Sequence, residues 1–406
     1  PGIRPGHRGI VQIGTPLDFL VIADHAEFLG GVRYMMERGV PRDELGILES
    51  IAAWAGEWWL RGVIEDGEGL ATVLQFLEPN EDVATAAVEP RALPISAALA
   101  MTRTTWSEAI ETADNHNDPG VFTALIGWEW SSIPGGANLH RVVFTSADKS
   151  VAGKFIPFGS TDSNYPEDLW KWLDETSAAT GADFVAIPHN SNVSKGYMFP
   201  AKERLRGTPI DADWAKLRGK WETVVEATQI KGDSETHSSV SPDDPFADFE
   251  NYPHYLQLNA SEYDPKPGDF VRTGLLAGLA IEERIGFNPY QFGLIGSTDA
   301  HSGLSTAEEP NFWGKFARDS IPEAKADLFR TGNDASPNGW SMSASGLAAV
   351  WAEENTREAI LAAFKRREVY ATTGPRIAVR VFGGPGIKPG DENAQDIAGV
   401  GKAGGV

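Results

Sequence analysis

The sequence predicts an α/β fold built on a parallel sheet. Three observations carry the prediction: short apolar runs, helical patterns between them, and polar clusters after most of the runs. The runs are Phe19 to Ala23, Phe122 to Ile126, Arg141 to Phe144, Phe184 to Ile187, Thr223 to Val225, Phe292 to Gly296 and Leu347 to Trp351. Continuous apolar stretches rich in Val, Ile and Phe read as strands buried on both faces, as in a parallel sheet covered by helices. Helical patterns cover Glu44 to Leu60, Asp168 to Thr176, Arg272 to Arg284 and Thr356 to Arg367. The last opens on Asn355-Thr356-Arg357-Glu358, a cap with an acid in the first turn. Strand–helix alternation of this kind marks an α/β fold. Polar residues at strand ends suit a (β/α) barrel, with its site at the C-terminal ends of the strands. They also suit an open doubly wound sheet with a ligand beyond its carboxyl edge.

Two regions interrupt the pattern. Residues 61–120 are acidic and contain proline, and read as helices plus loops. Residues 232–268 are rich in Gly, Ser, Asp and Pro, and read as a long excursion forming a rim or lid. The expected organisation is one α/β domain over 1–380 with these insertions, then a Gly-rich segment, 381–406, that reads as the start of an extension. The chain opens at Pro1 without a Met, a basic n-region or an apolar signal core, and both ends read as cut. Compartment is therefore open, and a periplasmic or secreted setting is compatible.

Composition bounds the function. Across 406 residues, 57 acidic against 35 basic residues leave a formal charge of −22. That balance argues against nucleic-acid binding, whose affinity comes largely from Lys and Arg on phosphates. No apolar run is long enough for a transmembrane helix. Without any cysteine, thiolate metal sites, disulfides and cysteine nucleophiles are excluded. With 41% hydrophobic residues and 13 tryptophans, the chain can bury a large core. Trp54, Trp58 and Trp59, at near-helical spacing, read as core or interface. There is no P-loop, no Gly-x-Gly-x-x-Gly after a strand and no Gly-x-Ser-x-Gly elbow.

Four of the eight histidines, His25, His140, His189 and His301, adjoin predicted strands. Two carboxylates, Glu129 and Asp299, occupy equivalent places. One such residue alone is ordinarily a hydrogen-bonded histidine or a capping acid. The set together is what a metal cluster requires, and mixed imidazole and carboxylate donors suit zinc, manganese or iron. Two or three ions could be held, polarising a phosphoryl oxygen and acidifying a bound water. Asp299 and His301, two apart on an extended segment, point to the same side. Asp24 and His25 point oppositely, so His25 is the expected ligand while Asp24 orients it or a neighbour. Glu27 is a weaker candidate. His116 lies in a polar turn, His7 and His254 lack supporting context, and His237 sits in the excursion near Asp233 and Glu235, where it could face substrate.

The order Asp-His, Glu, His, His, Asp-x-His resembles the PHP (polymerase and histidinol phosphatase) metal-dependent phosphoesterases. More specifically, Pro-Leu-Asp-Phe-Leu-Val-Ile-Ala-Asp-His-Ala-Glu (16–27) is similar to a PHP-like family catalogued as a domain of unknown function. So are Gly-Trp-Glu-Trp (127–130), Ile-Pro-His-Asn (187–190), Ser-Thr-Asp-Ala-His (297–301) and Arg-Glu-Val-Tyr-Ala-Thr-Thr-Gly-Pro-Arg (367–376). The resemblance covers nearly the whole chain. It implies a distorted (β/α)7 TIM-like barrel with up to three metal ions at its mouth. His25, Glu129, His140, His189, Asp299 and His301 match the family's ligands, Glu129 being the carboxylate that often bridges two metals. His140 stands apart, because it precedes its strand. The His-x-His that opens PHP proteins is missing, so either the first barrel strand lies in a segment preceding Pro1, which is the favoured expectation, or this copy is degenerate.

The function these readings predict is metal-dependent hydrolysis of a phosphoester by a metal-activated water, on a small phosphorylated substrate. Asp24, His25 and His301 are the candidates for proton transfer. Arg141, Asn190, Lys195, His237 and Arg376 are the candidates for substrate contact, Arg376 because a guanidinium can grip phosphate bidentately. The alternatives are an amidohydrolase, lactonase or phosphotriesterase-like enzyme, for which a carbamylated lysine at a strand end would speak, or a non-catalytic metal-binding barrel.

Overall fold

The fold is described from a computed structural model, covering residues 13–27, 29–65, 95–256, 262–301, 303, 307, 314–315, 342–382 and 386–388. The chain divides into two compact units, Pro1–Gly374 and Pro375–Val406. In the second, the described residues hold no helix or strand. Most of the Gly-rich segment, and the strand expected before Pro1, lie outside the described residues.

Every predicted apolar run in the first unit forms a strand: β1 (Phe19–Ile22), β2 (Thr123–Trp130), β3 (Arg141–Thr145), β4 (Phe184–Pro188), β5 (Val224–Gln229), β7 (Gly293–Gly296) and β8 (Leu347–Val350). Two short strands escape the reading, β6 (Gly232–Asp233) and β9 (Val369–Thr372). The helices are α1 (Gly31–Arg38), α2 (Ile47–Glu65), α3 (Ile95–His116), α4 (Lys149–Ala152), α5 (Pro166–Thr180), α6 (Ala212–Trp221), α7 (Val271–Ile285) and α8 (Arg357–Arg366). Thr356 caps α8 through its hydroxyl, which accepts from Ala359 N at 3.3 Å. Within 232–268, the described residues hold β6 and the start of a single 3₁₀ turn, and otherwise run as loop.

The expected closed (β/α)7 barrel is corrected by the sheet pairing. Among the described residues the strands form a mixed α/β arrangement of three small sheets, β1-β2-β3-β4, β6-β5-β7 and β8-β9. β1 runs parallel to β2, and β5 to β7, but β2-β3 and β3-β4 are antiparallel. The cause is the link 131–140: a parallel return needs a crossover of a dozen or more residues, which that segment cannot supply. Burial on both faces holds for β2, β4 and β5, buried along their whole length, but not for β1 and β8, which are largely half-buried. Burial does not specify direction, and here it belongs to a mixed sheet.

That sheet lies between two apolar layers. On one side Trp128 and Trp130 of β2 join Trp106 of α3, Phe155, and Leu169, Trp170 and Leu173 of α5. On the other, Leu125, Phe144, Val185 and Ile187 pack with Ile360, Leu361 and Phe364 of α8. Gly127 lets the strands close up: a Cβ there would meet Val21 Cγ1 at 2.6 Å and Val143 O at 2.8 Å. The tryptophans of α2 do not join the core. Trp54, Trp58 and Trp59 are exposed at 59, 72 and 47%. Its charged side chains turn toward the protein instead, Glu57 onto Val40 N and Arg61 onto the Met36 carbonyl.

Candidate metal centre

Strand register brings four predicted residues to one sheet edge. β1 continues beyond Ile22, so that His25 bridges Glu129 in parallel; Glu129 N donates to Asp24 O and Ala26 N to Glu129 O. Glu129 is the penultimate residue of β2 and pairs with Val142 of β3. His140 stands just before β3, and Arg141 pairs with Pro188, so His140 meets His189 just past β4; His189 N donates to His140 O at 3.3 Å. Because β3 is antiparallel, its start lies beside the ends of β2 and β4. That is why a histidine preceding its strand joins two residues found at strand ends.

The side chains converge on Glu129. His140 Nδ1 lies 2.6 Å from Glu129 Oε1, His189 Nε2 3.2 Å from Oε2, and His25 Nδ1 3.2 Å from Oε1. Ser131, two residues along on the same face, donates to Oε1 at 2.9 Å and meets His25 Nδ1. Glu129, His140 and His189 are buried, and one donor atom from each lies within 4.8 Å of the others. Three bonds of about 2.0–2.2 Å to one ion demand a similar spread. His140 Nε2 and both ring nitrogens of His189 are buried without a hydrogen-bond partner. Buried polar atoms are normally paired, so lone pairs left open beside a carboxylate fit a metal ion. The donor set, two imidazoles and a carboxylate, agrees with zinc, manganese or iron.

The electrostatics point the same way. Burial disfavours the charged form of Glu129, but His25, His189 and His140 outweigh it and hold its carboxyl well below the usual range. Burial pushes His140 down to about 4, against the pull of Glu129, so its ring is neutral at physiological pH. Such a ring can offer a lone pair to a metal.

Asp299 and His301 form a neighbouring group. Asp299 sits in the left-handed region at φ 48°. Its Oδ2 accepts from Gln229 Nε2 at 2.9 Å and Lys315 Nζ at 2.7 Å, and is ion-paired with Lys231. His301 Nδ1 is 3.7 Å from Asp299 Oδ1 and 3.0 Å from Lys315 Nζ. Its ring lies 5.9 Å from that of His25, which ties the two groups together. Burial first, and then Lys315 and Lys231, press His301 well below its ordinary value.

The other predicted residues are placed variously. Asp24 contributes its carbonyl, and its side chain is exposed. Glu27 accepts from Ser131 N at 3.2 Å and from Ser160 N, holding loops together. Asn190 is buried at φ 55°, gives its N–H to Glu226 Oε1 at 3.0 Å and leaves Oδ1 unpartnered. Arg141 is turned into the core, its Nε on Glu222 at 2.9 Å and its Nη1 on Leu139 O. Lys195 donates to Gly135 O at 2.9 Å. His237 stacks on Phe270 at 5.8 Å and meets Ser239. Arg376 belongs to the second unit.

Sequence reasoning missed Glu226, Gln229, Lys231 and Lys315 as parts of the site. Glu226 lies 3.8 Å from His189 Nδ1 and binds Ser297. It repeats the apolar-run-then-acid signal that singled out Glu129. Lys315 has no comparable local signal.

These features define a mixed α/β protein with a buried Glu–His–His group able to hold a metal ion. The chain belongs to the family described as Protein of unknown function (DUF3604), which it matches over residues 3–406. No match was found among the curated proteins, and none among the solved structures. No helix among the described residues is long and apolar enough to cross a membrane.

Proposed function

We propose that this protein is a metal-dependent hydrolase of phosphoesters, related to the PHP phosphoesterases. The observation that carries the reading is the convergence of His140 and His189 on Glu129, with His140 Nε2 and both ring nitrogens of His189 left without a hydrogen-bond partner. Glu129, His140 and His189 would hold one divalent ion, zinc, manganese or iron. His25 and His301, with Glu129 between His25 and the buried pair, offer donors for a second. Bound there, such ions supply Lewis acidity and an acidified water. The chain's own tasks are then clear. Asn190 and Glu226 brace the loop that carries His189, Ser131 fixes the His25 ring, and His25 is placed to protonate the leaving oxygen. An amidohydrolase built on a carbamylated lysine is less well supported, because the Nζ of Lys231, just past β5, is already engaged by Asp299.

The test is elemental analysis of the full-length protein, beside turnover of phosphomonoesters, phosphodiesters and amides. Bound divalent metal and metal-dependent phosphomonoester turnover are expected in the wild type. His189→Ala and Glu129→Gln should each lose metal by at least about tenfold, with activity. Equal turnover of an aryl phosphate by wild type and both variants would sink the reading.

A further inference from the structure

Two buried lysines stand beside the metal-ligand group, and no task above uses them. Lys231 is 7% exposed and Lys315 5%. The Nζ atoms of both meet Asp299 Oδ2, and Lys315 also donates to Asp299 O at 3.0 Å and touches His301 Nδ1 at 3.0 Å. Gln229 donates to the same oxygen and accepts from Lys231 N at 2.6 Å, so the lysine is held at both ends. His301 links the pair to the ligands, its ring 5.9 Å from that of His25, which lies 3.2 Å from Glu129.

Stripping water from an ammonium is costly, and two of them on one carboxylate oxygen repel each other. An ammonium carries three N–H donors, and among the described residues Asp299 alone accepts from Lys231 Nζ. Two cations singled out from the sequence are engaged elsewhere: Arg141 is committed to Glu222 and Lys195 to Gly135. Cations gathered in a low-dielectric mouth attract and orient anions.

We propose that Lys231 and Lys315 form the anion-binding wall of this site, taking the phosphoryl oxygens of the substrate and the phosphate product. Asp299 aligns the two ammonium groups. The proposal rests on the phosphoester reading, yet can fail separately from it.

The experiment is calorimetric titration of inorganic phosphate into the metal-containing full-length chain, with metal content measured in the same samples. Lys231→Met and Lys315→Met should each weaken phosphate binding by about tenfold or more, the loss of one charge-assisted hydrogen bond, with metal content unchanged. Lys231→Arg should restore much of the affinity. A second readout needs no variant: phosphate should slow acylation of both lysines in the wild type, mapped by peptide mass. Phosphate binding equal to wild type in both methionine variants, or no protection of either lysine, overturns the proposal. Lysine-dependent phosphate binding in a chain holding no metal would defeat the hydrolase reading and leave the anion wall standing. Bound metal with lysine-independent phosphate binding would do the reverse.

Discussion

Glu129 is the residue on which the site turns, because three imidazoles approach one carboxylate whose charged form burial alone would disfavour. His140 gives this a measurable consequence. Its folded value of about 4 lies below the 6.5 of an unfolded histidine. The stability it contributes is present above pH 6.5 and is lost as pH falls toward 4, because the unfolded chain takes up the proton more readily. Wild type stripped of metal should therefore lose stability between pH 6.5 and 4, by about 1–3 kcal/mol from this group. Urea denaturation across that range checks it, and His140→Gln should flatten the slope. An unchanged slope in the variant would show that the ring is not the group titrating.

At the scale of elements, the short link into β3 decides the site's geometry, and tight packing around β2 holds it. Gly127→Ala places a Cβ against Val21 Cγ1 and the Val143 carbonyl, so it should destabilise by about 1–3 kcal/mol. Trp128 is fully buried, ringed by Trp106, Phe155, Trp172 and Phe184, and its indole donates to Phe158 O at 3.1 Å. Trp128→Ala should cost about 3–5 kcal/mol, read as a fall in denaturation midpoint. Thr356→Ala removes the α8 cap and should cost about 1 kcal/mol, with metal content unaffected. A Thr356 variant that lost metal would mean that α8 does more than cover the sheet.

For the whole molecule, a metal that binds only the folded chain must stabilise it by mass action. At a free concentration one hundred times its dissociation constant, that amounts to about 2.7 kcal/mol. Added zinc or manganese should therefore raise the wild-type melting temperature and leave that of His189→Ala unchanged. Equal shifts in both proteins would place the stabilising metal elsewhere. The −22 charge is in keeping with a protein that concentrates cations, and it makes such shifts sensitive to salt.

The sequence by itself determined seven of the strands and the chemistry of their ends. Apolar runs such as Phe184 to Ile187 are too short for a helix and rich in residues that suit a buried strand. Histidines and acids beside such runs, without any cysteine, limit a metal to nitrogen and oxygen donors. Thr356 announced its helix because a cap is a local hydrogen bond. Only the tertiary structure decided strand direction, and with it the three small sheets in place of a barrel, because burial is the same for parallel and antiparallel neighbours. It also decided which residues meet. His140 reaches Glu129 through the reversal of β3, Arg141 is drawn into the core by Glu222, and Lys231 and Lys315 converge on Asp299 from distant parts of the chain. Contacts between residues far apart in sequence leave no periodicity to read, so the pairing of charges belongs to the fold.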